Sequence, residues 1–83
     1  MQVTVKLYAT LSDYLPPASQ HNRVTVDVAD GATVDAVLQP FALPAKLTHL
    51  VLLNGVFIPP AERSTASLKT GDTLAVWPPI AGG

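Results

Sequence analysis

The chain has 83 residues, of which 48% are hydrophobic and 13% charged, a formal net charge of −1, and no cysteine. This length predicts one domain, while the few scattered basic residues exclude an electrostatic surface for nucleic acid. The lack of cysteine excludes disulfides, thiolate metal sites and a cysteine that could act as nucleophile or persulfide carrier. No apolar run is long enough to span a membrane and no signal-peptide pattern opens the chain, so we expect a cytoplasmic protein.

The first half of the sequence predicts two strands and a helix. Apolar and polar residues alternate over residues 3–7 and again over residues 23–28, which is typical of half-buried strands. Prolines limit the connection at residues 9–22 to at most one helical turn. After the turn signal Asp30-Gly31, Thr33 is placed to cap a short helix, which we expect Pro40 to end.

The second half predicts three further strands. Residues 48–53 form a nearly continuous apolar run, and the Asn54-Gly55 pair after it is a strong hairpin signal. Two prolines cut the returning strand at residues 56–58 short, which suits a sheet edge. Residues 61–69 read as irregular, and the last strand covers residues 73–77.

This order of elements predicts an α+β fold, with a mixed sheet of four or five strands packed on one short helix. With the last strand beside the first, as fold precedent suggests, the arrangement is the ubiquitin-like β-grasp. We expect a β-grasp domain at residues 1–77 and an extended tail at residues 78–83.

The tail ends in Gly82-Gly83. Glycine has no Cβ, so such a strip of main chain can pass through a narrow slot in another protein. The prolines Pro78 and Pro79 fix φ and remove two donors, which keeps the tail extended. A pair of terminal glycines without any role is the alternative interpretation.

Aromatic residues are expected beside the root of this tail. Strand alternation points Trp77 away from the core, and Tyr8 lies on the outer side of the first strand. If the first and last strands are neighbours, these two rings meet, and Phe57 extends the patch. Exposed aromatic side chains at such a place predict a partner-binding surface. In the alternative, Trp77 folds over a sheet edge and Tyr8 covers the core.

No catalytic side chain or metal site is predicted. His21 and His49 are far apart in the sequence, without a carboxylate or cysteine at metal-ligand spacing. The acidic residues show no pairing suited to acid–base catalysis, and no serine lies in a nucleophile-elbow context.

Five segments together resemble the MoaD group of sulfur carriers. They are residues 5–11, 30–34, 53–55, 68–74 and 77–83, and the Trp-Pro-Pro-Ile-Ala-Gly-Gly tail is the closest match. The related thiamin carriers, ThiS, share the fold and the Gly-Gly, but they usually lack the long segment present here at residues 9–22.

The resemblance implies that the carboxylate of Gly83 is adenylated by an enzyme of the ubiquitin-activating type, which uses ATP and Mg²⁺. Sulfur from a persulfide donor then replaces AMP and leaves a thiocarboxylate. The carrier itself binds no cofactor and supplies no catalytic side chain. The residues expected to thread into the partner are Pro78, Pro79, Ile80, Ala81 and Gly82.

The resemblance further implies a sulfur acceptor, most simply a MoaE-like synthase subunit that makes molybdopterin. Other acceptors, namely thiamin thiazole, transfer RNA or an amino acid, fit the same chemistry. A ubiquitin-like modifier that joins Gly83 to lysine side chains is a different hypothesis, and an interaction module with an idle Gly-Gly is a third. Neither a nucleic acid nor a membrane is an expected partner.

Overall fold

A computed structural model of the chain describes residues 1–17 and 19–79. The strands are β1 (Gln2–Leu7), β2 (Arg23–Asp27), β3 (Leu50–Leu53), β4 (Val56–Phe57) and β5 (Thr73–Trp77), and the α-helix is α1 (Val34–Leu38). Short 3-10 helices cover Ala9–Tyr14, Gln39–Phe41, Ala45–Leu47 and Pro60–Glu62. The tail residues 80–83, on which several sequence predictions fall, lie outside the described residues.

The five strands form one mixed sheet in the order β2-β1-β5-β3-β4. Strands β1 and β5 run parallel, and each of the other neighbouring pairs is antiparallel. The first and last strands are therefore neighbours, as predicted, and a short α-helix lies between β2 and β3 in the chain. Because β1 and β5 are parallel, their carboxyl ends lie at the same edge of the sheet.

The core lies between one face of this sheet and α1. Alternate residues of β1 are buried and alternate residues of β2 are half-buried, as the period of two in the sequence predicts. Helix α1 contributes an i, i+3, i+4 stripe. The buried cluster consists of Val3, Val5, Leu7, Leu11, Val34, Val37, Leu38, Val51, Leu68, Leu74 and Val76.

Thr33 caps α1 as predicted, because its hydroxyl accepts a hydrogen bond of 3.2 Å from the Ala36 amide. The α-helix ends before Pro40, as predicted, and a 3-10 turn follows it. The last residue of the α-helix is Leu38, and Pro40 lies inside the 3-10 turn Gln39–Phe41. Proline fits there because the first residues of a helical turn need no intrahelical N–H donor.

The connection after β1 also differs from expectation. Instead of at most one helical turn, it holds a six-residue 3-10 helix, Ala9–Tyr14, anchored by the buried Leu11. The i to i+3 pattern of a 3-10 helix carries no 3.6-residue apolar period, so the sequence gives little sign of it. Across the described residues, no helix combines the length and apolarity that crossing a membrane requires.

The Asn54-Gly55 hairpin forms as predicted. Both residues have positive φ, 51° and 85°, as a two-residue turn of the primed type requires. The strands it joins are shorter than predicted, since β3 begins at Leu50 and β4 ends at Phe57. Strand β4 is an edge strand, as its following prolines suggested.

Candidate functional site at the root of the tail

The tail begins where three segments of the chain meet. Trp77 is the last residue of β5, and Tyr8 directly follows β1 at the same edge of the sheet. The Tyr8 amide donates to the Val76 carbonyl at 3.1 Å, and the His49 amide donates to the Trp77 carbonyl at 3.2 Å. These backbone bonds from both neighbouring segments fix the last residues of β5 immediately before Pro78.

The rings of Tyr8 and Trp77 are stacked with their planes parallel. Their centroids are 4.3 Å apart and their planes differ by 2°. Both residues are half-buried rather than part of the core. The structure therefore brings together the two aromatic residues that the sequence placed beside the tail, and a contact of this kind stabilises by about 0.5–1.5 kcal/mol beyond the area it buries.

The register extends this aromatic pair across the sheet. Leu50 of β3 pairs with Trp77, and further along β3 Leu52 pairs with Phe57 of β4. Residues that pair directly across strands point to the same face, so these side chains lie on the face that Trp77 occupies, away from α1. Phe57 is 49% exposed and Leu50 is 36% exposed. We call this set, Tyr8, Leu50, Leu52, Phe57 and Trp77, the outer apolar face.

Sequence reasoning missed Leu50 and Leu52. The run Leu50–Leu53 is apolar at every position, so it carries no alternation that would separate inner from outer residues. Only the pairing with β5 shows which of these residues face the core and which face outward. Val51 pairs with the buried Val76, whereas Leu50 pairs with Trp77. Ala75 lies on the same face as Leu50, since it pairs with Leu52, although it is only 8% exposed.

The outer apolar face has a basic margin. Ala75 pairs with Lys6 of β1, and Lys6 pairs with Arg23 of the edge strand β2. Lys6 and Arg23 therefore lie on the same face of the sheet, in one cross-strand row with Ala75 and Leu52. Lys6 is half-buried and Arg23 is exposed. The face thus changes from apolar at β3 and β4 to a row of two cations on β1 and β2, while Asp27 lies on the same face at the other end of β2.

The described part of the chain contains no group of side chains suited to hold a metal ion, since no three histidine, cysteine, aspartate or glutamate side chains lie close enough together there. His21 and His49 are exposed. The predicted attachment residue Gly83 and the threading residues from Ile80 onward fall outside the described residues, so their roles stay predictions.

Three solved structures illustrate what the whole chain resembles. SAMP1 from Haloferax volcanii is 29% identical, with full coverage of both chains and a TM-score of 0.70. The thiamine biosynthesis protein ThiS from Geobacter metallireducens is 22% identical, with full coverage of both chains and a TM-score of 0.66. A chain in the complex of subunits 1 and 2 of the molybdopterin-converting factor from Helicobacter pylori is 21% identical, with full coverage of both chains and a TM-score of 0.62.

These likenesses confirm the predicted ubiquitin-like β-grasp fold, since each neighbour aligns over its full length. No curated protein sequence matches the chain significantly. A family model, in contrast, matches nearly the whole of it, from residue 5 to residue 83. The chain belongs to the ThiS family.

Proposed function

We propose that this protein is a sulfur carrier that is adenylated and then thiocarboxylated at Gly83, and that it donates the sulfur in molybdopterin biosynthesis. The observation that carries the proposal is the stacked Tyr8–Trp77 pair, which joins the outer apolar face to the start of the tail. A partner that binds this face holds the tail at a fixed distance from its own active site. Membership of the ThiS family supports the same reading.

The chemistry requires activation because a carboxylate is a poor acyl donor. In the proposed sequence the Gly83 carboxylate attacks the α-phosphate of ATP, pyrophosphate leaves, and an acyl-adenylate forms. The terminal sulfur of a persulfide donor then attacks the carbonyl carbon and AMP leaves, which gives an acyl disulfide. A thiol of the partner attacks the donor's sulfur of that S–S bond, becomes part of a disulfide itself, and so releases the thiocarboxylate. The activating enzyme supplies ATP, Mg²⁺ and the catalytic groups, while the carrier supplies a positioned carboxyl group, as group carriers do.

The outer apolar face is the proposed docking surface for the activating enzyme and for the sulfur acceptor. Aromatic residues in the centre of an interface contribute much of the binding free energy, and Trp77, Tyr8 and Phe57 form such a centre. The basic margin at Lys6 and Arg23 favours partners with acidic residues beside the apolar contact. Because both partners need the same tail, we propose that they bind this face one after the other.

A MoaE-like synthase subunit is the proposed acceptor. The similar chain from Helicobacter pylori was solved in a complex of two subunits of molybdopterin-converting factor, and the tail from Trp77 to Gly83 resembles the MoaD group. Thiamin thiazole synthesis and transfer RNA thiolation use the same thiocarboxylate, so they are the alternative acceptors within this proposal.

A ubiquitin-like modifier is a second candidate function. Among the three structures compared above, SAMP1 from Haloferax volcanii has the highest identity, 29%. A second structure from the same organism, of small archaeal modifier protein 1, is 27% identical. In a modifier the same activated Gly83 carbonyl is attacked by a lysine Nζ, and an isopeptide bond forms as the leaving group departs. The two functions share activation and differ only in the nucleophile.

The nature of the adduct separates these candidates. The purified chain is incubated with a ubiquitin-activating-type enzyme, ATP, Mg²⁺, a persulfide donor and a thiol reductant, and then analysed by intact mass spectrometry. A carrier gives a product with one oxygen replaced by sulfur, located in the C-terminal peptide. A product in which Gly83 is joined only to lysine side chains, with no thiocarboxylate from any donor, would make the protein a modifier.

A further inference from the structure

Arg63 is the one charged residue that the described part of the chain buries almost completely, with 7% exposure. Each nitrogen of its guanidinium group donates to a backbone carbonyl. Nε donates to Ile58 at 3.1 Å, Nη1 to Thr48 at 3.1 Å, and Nη2 to His49 at 3.0 Å. One side chain therefore holds the end of β4 and the entry to β3.

Nothing in the described residues neutralises this charge, since no carboxylate lies within salt-bridge distance of Arg63. Burying an unpaired cation is unfavourable unless its donors are satisfied by hydrogen bonds. A planar guanidinium can reach three separately placed carbonyls because its donors point in fixed directions, and a lysine ammonium cannot. The geometry thus requires arginine at this position, not merely a positive charge.

The contacts of Arg63 lead directly to the root of the tail. The His49 carbonyl accepts from the guanidinium of Arg63, and the His49 amide donates to the Trp77 carbonyl at 3.2 Å. The next residue, Leu50, pairs with Trp77 in the sheet. Arg63 is therefore separated from the last residue of β5 by a single residue.

The backbone of Arg63 is anchored on the opposite side. Its carbonyl accepts from the Asp35 amide at 2.9 Å, in the first turn of α1. The residue thus connects the helix to the segment that borders Trp77. Pro78 and Pro79 have no N–H to donate, so the direction in which the chain leaves the sheet depends on the bonds made at Trp77 and just before it.

We propose that Arg63 is a positioning residue for activation of the C-terminus, because it holds the Thr48–His49 backbone against the Trp77 carbonyl and so sets the exit direction of the tail. The inference rests on the proposed function where it is tested by the rate of adenylation. Its structural readout, the stability of the hydrogen bond between the His49 amide and the Trp77 carbonyl, is independent of that function.

The structural test is amide hydrogen exchange in Arg63→Lys, with Arg23→Lys as the matched control at an exposed position. Loss of the three-carbonyl contact should raise the exchange rate of the His49 amide about tenfold. The Asn54 amide, which donates to the Thr73 carbonyl at 2.8 Å at the other end of β5, should keep its rate. Arg23→Lys should change neither amide.

The chemical test is steady-state adenylation of Arg63→Lys and of wild type by the activating enzyme. A misdirected tail reaches the nucleotide less often although the outer apolar face still binds, so kcat should fall about tenfold with KM nearly unchanged. Phe57→Ala, which removes part of the binding face, should show the opposite pattern, with a raised KM. If Arg63 merely stabilised the fold, its replacement would lower the fraction of folded carrier, and kcat would not fall at an unchanged KM.

Unchanged His49 exchange in folded Arg63→Lys would overturn the proposal, and so would a uniform rise at His49 and Asn54. If Arg63→Lys does not fold, Arg63→Met, which removes the buried charge, takes its place with the same expectations. Failure of both to fold would show a general structural role and also overturn the proposal. If the wild-type chain is not adenylated, the proposed function fails, while the exchange experiment still decides the role of Arg63 in holding the tail root.

Discussion

The side-chain amide of Asn54 donates to the Asp72 carboxylate at 2.9 Å, which joins the β3–β4 hairpin to the turn before β5. The amide oxygen of Asn54 accepts in return from the Thr73 backbone at 2.8 Å, and the second carboxylate oxygen of Asp72 accepts from the Lys69 backbone at 2.8 Å. The Asn54 bond, followed by the Lys69 bond, lowers the pKa of Asp72, and partial burial acts weakly in the opposite direction.

This pair predicts an acid-sensitive contribution to stability. Because the pKa of Asp72 in the folded chain lies below its ordinary value of 3.8, the ionised form is favoured by folding. The contribution is fully present above that ordinary value and is lost as the pH falls through the lower folded pKa. The free energy of unfolding of wild type minus Asp72→Asn should therefore be constant near neutral pH and shrink below about pH 4.

Urea unfolding at a series of pH values measures this difference, with Asp13→Asn as a control for removing an exposed carboxylate elsewhere. Wild type and Asp72→Asn that lose stability in parallel down to the lowest pH would show that the Asn54–Asp72 bond contributes nothing.

The aromatic stack predicts a loss of affinity larger than the loss of stability. Tyr8→Ala and Trp77→Ala should each weaken binding to the activating enzyme or acceptor by about 1–3 kcal/mol. Both should destabilise the fold less than Val76→Ala, which creates a cavity at a fully buried position and should cost about 2–3 kcal/mol. Calorimetric titration and denaturant unfolding give the two quantities. If the variants unfold while the remaining folded protein binds its partner normally, both rings stabilise the fold and do not contribute to partner binding.

Adjacent residues of β4 offer a sharper test of the outer apolar face. Phe57 pairs with Leu52 on that face, whereas Val56 pairs with Leu53 on the other. Both side chains are exposed, 49% and 64% respectively. Phe57→Ala should weaken partner binding by about 1–2 kcal/mol, and Val56→Ala by less than about 0.5 kcal/mol. Equal effects of the two substitutions in the same titration would argue against this face as the docking surface.

The difference between what the sequence revealed and what it concealed follows from strand patterning. Strand β1 alternates between apolar and polar residues, and in β5 the large aliphatic residues Leu74 and Val76 were assigned to the core. These assignments placed Tyr8 and Trp77 on the outer side, and fold precedent made them neighbours. The uniform run Leu50–Leu53 has no such signal, and its outer residues emerge only from the register with β5.

Arg63 was concealed for another reason. It lies in a segment without periodicity, and its partners are the carbonyls of Thr48, His49 and Ile58. Every residue has a backbone carbonyl, so a contact of this kind leaves no signature in the identity of the residues that accept it. Such a site becomes visible only when the chain is folded.

The tail itself should be dispensable for folding. Among the residues that the structure describes, the buried cluster runs from Val3 to Val76, before the prolines begin. Deleting Gly82 and Gly83 should leave the melting temperature nearly unchanged and abolish ATP-dependent adenylation. Thermal unfolding and a pyrophosphate-exchange assay measure the two effects. Adenylate formation by the truncated chain at the wild-type rate would mean that the terminal glycines are not the site of activation.

The last prediction concerns the atom that carries sulfur. The chain has no cysteine, and the thioether of its one methionine cannot hold a transferable persulfide. A carrier of this composition must therefore load sulfur on a carboxyl group, and the proposal assigns it to Gly83. One alanine added after Gly83 should block loading, because it places the activated carboxyl on a residue with a side chain and one position too far.

Gly83→Ala separates these two effects, since it keeps the length and adds only a methyl group beside the reacting carbon. It should slow loading by about ten- to a hundredfold without abolishing it, because near-attack geometry tolerates little displacement. Intact mass spectrometry over time measures the rate for both variants against wild type. Sulfur found elsewhere than in the C-terminal peptide, or loading of the extended chain at the wild-type rate, would remove Gly83 from its assigned role.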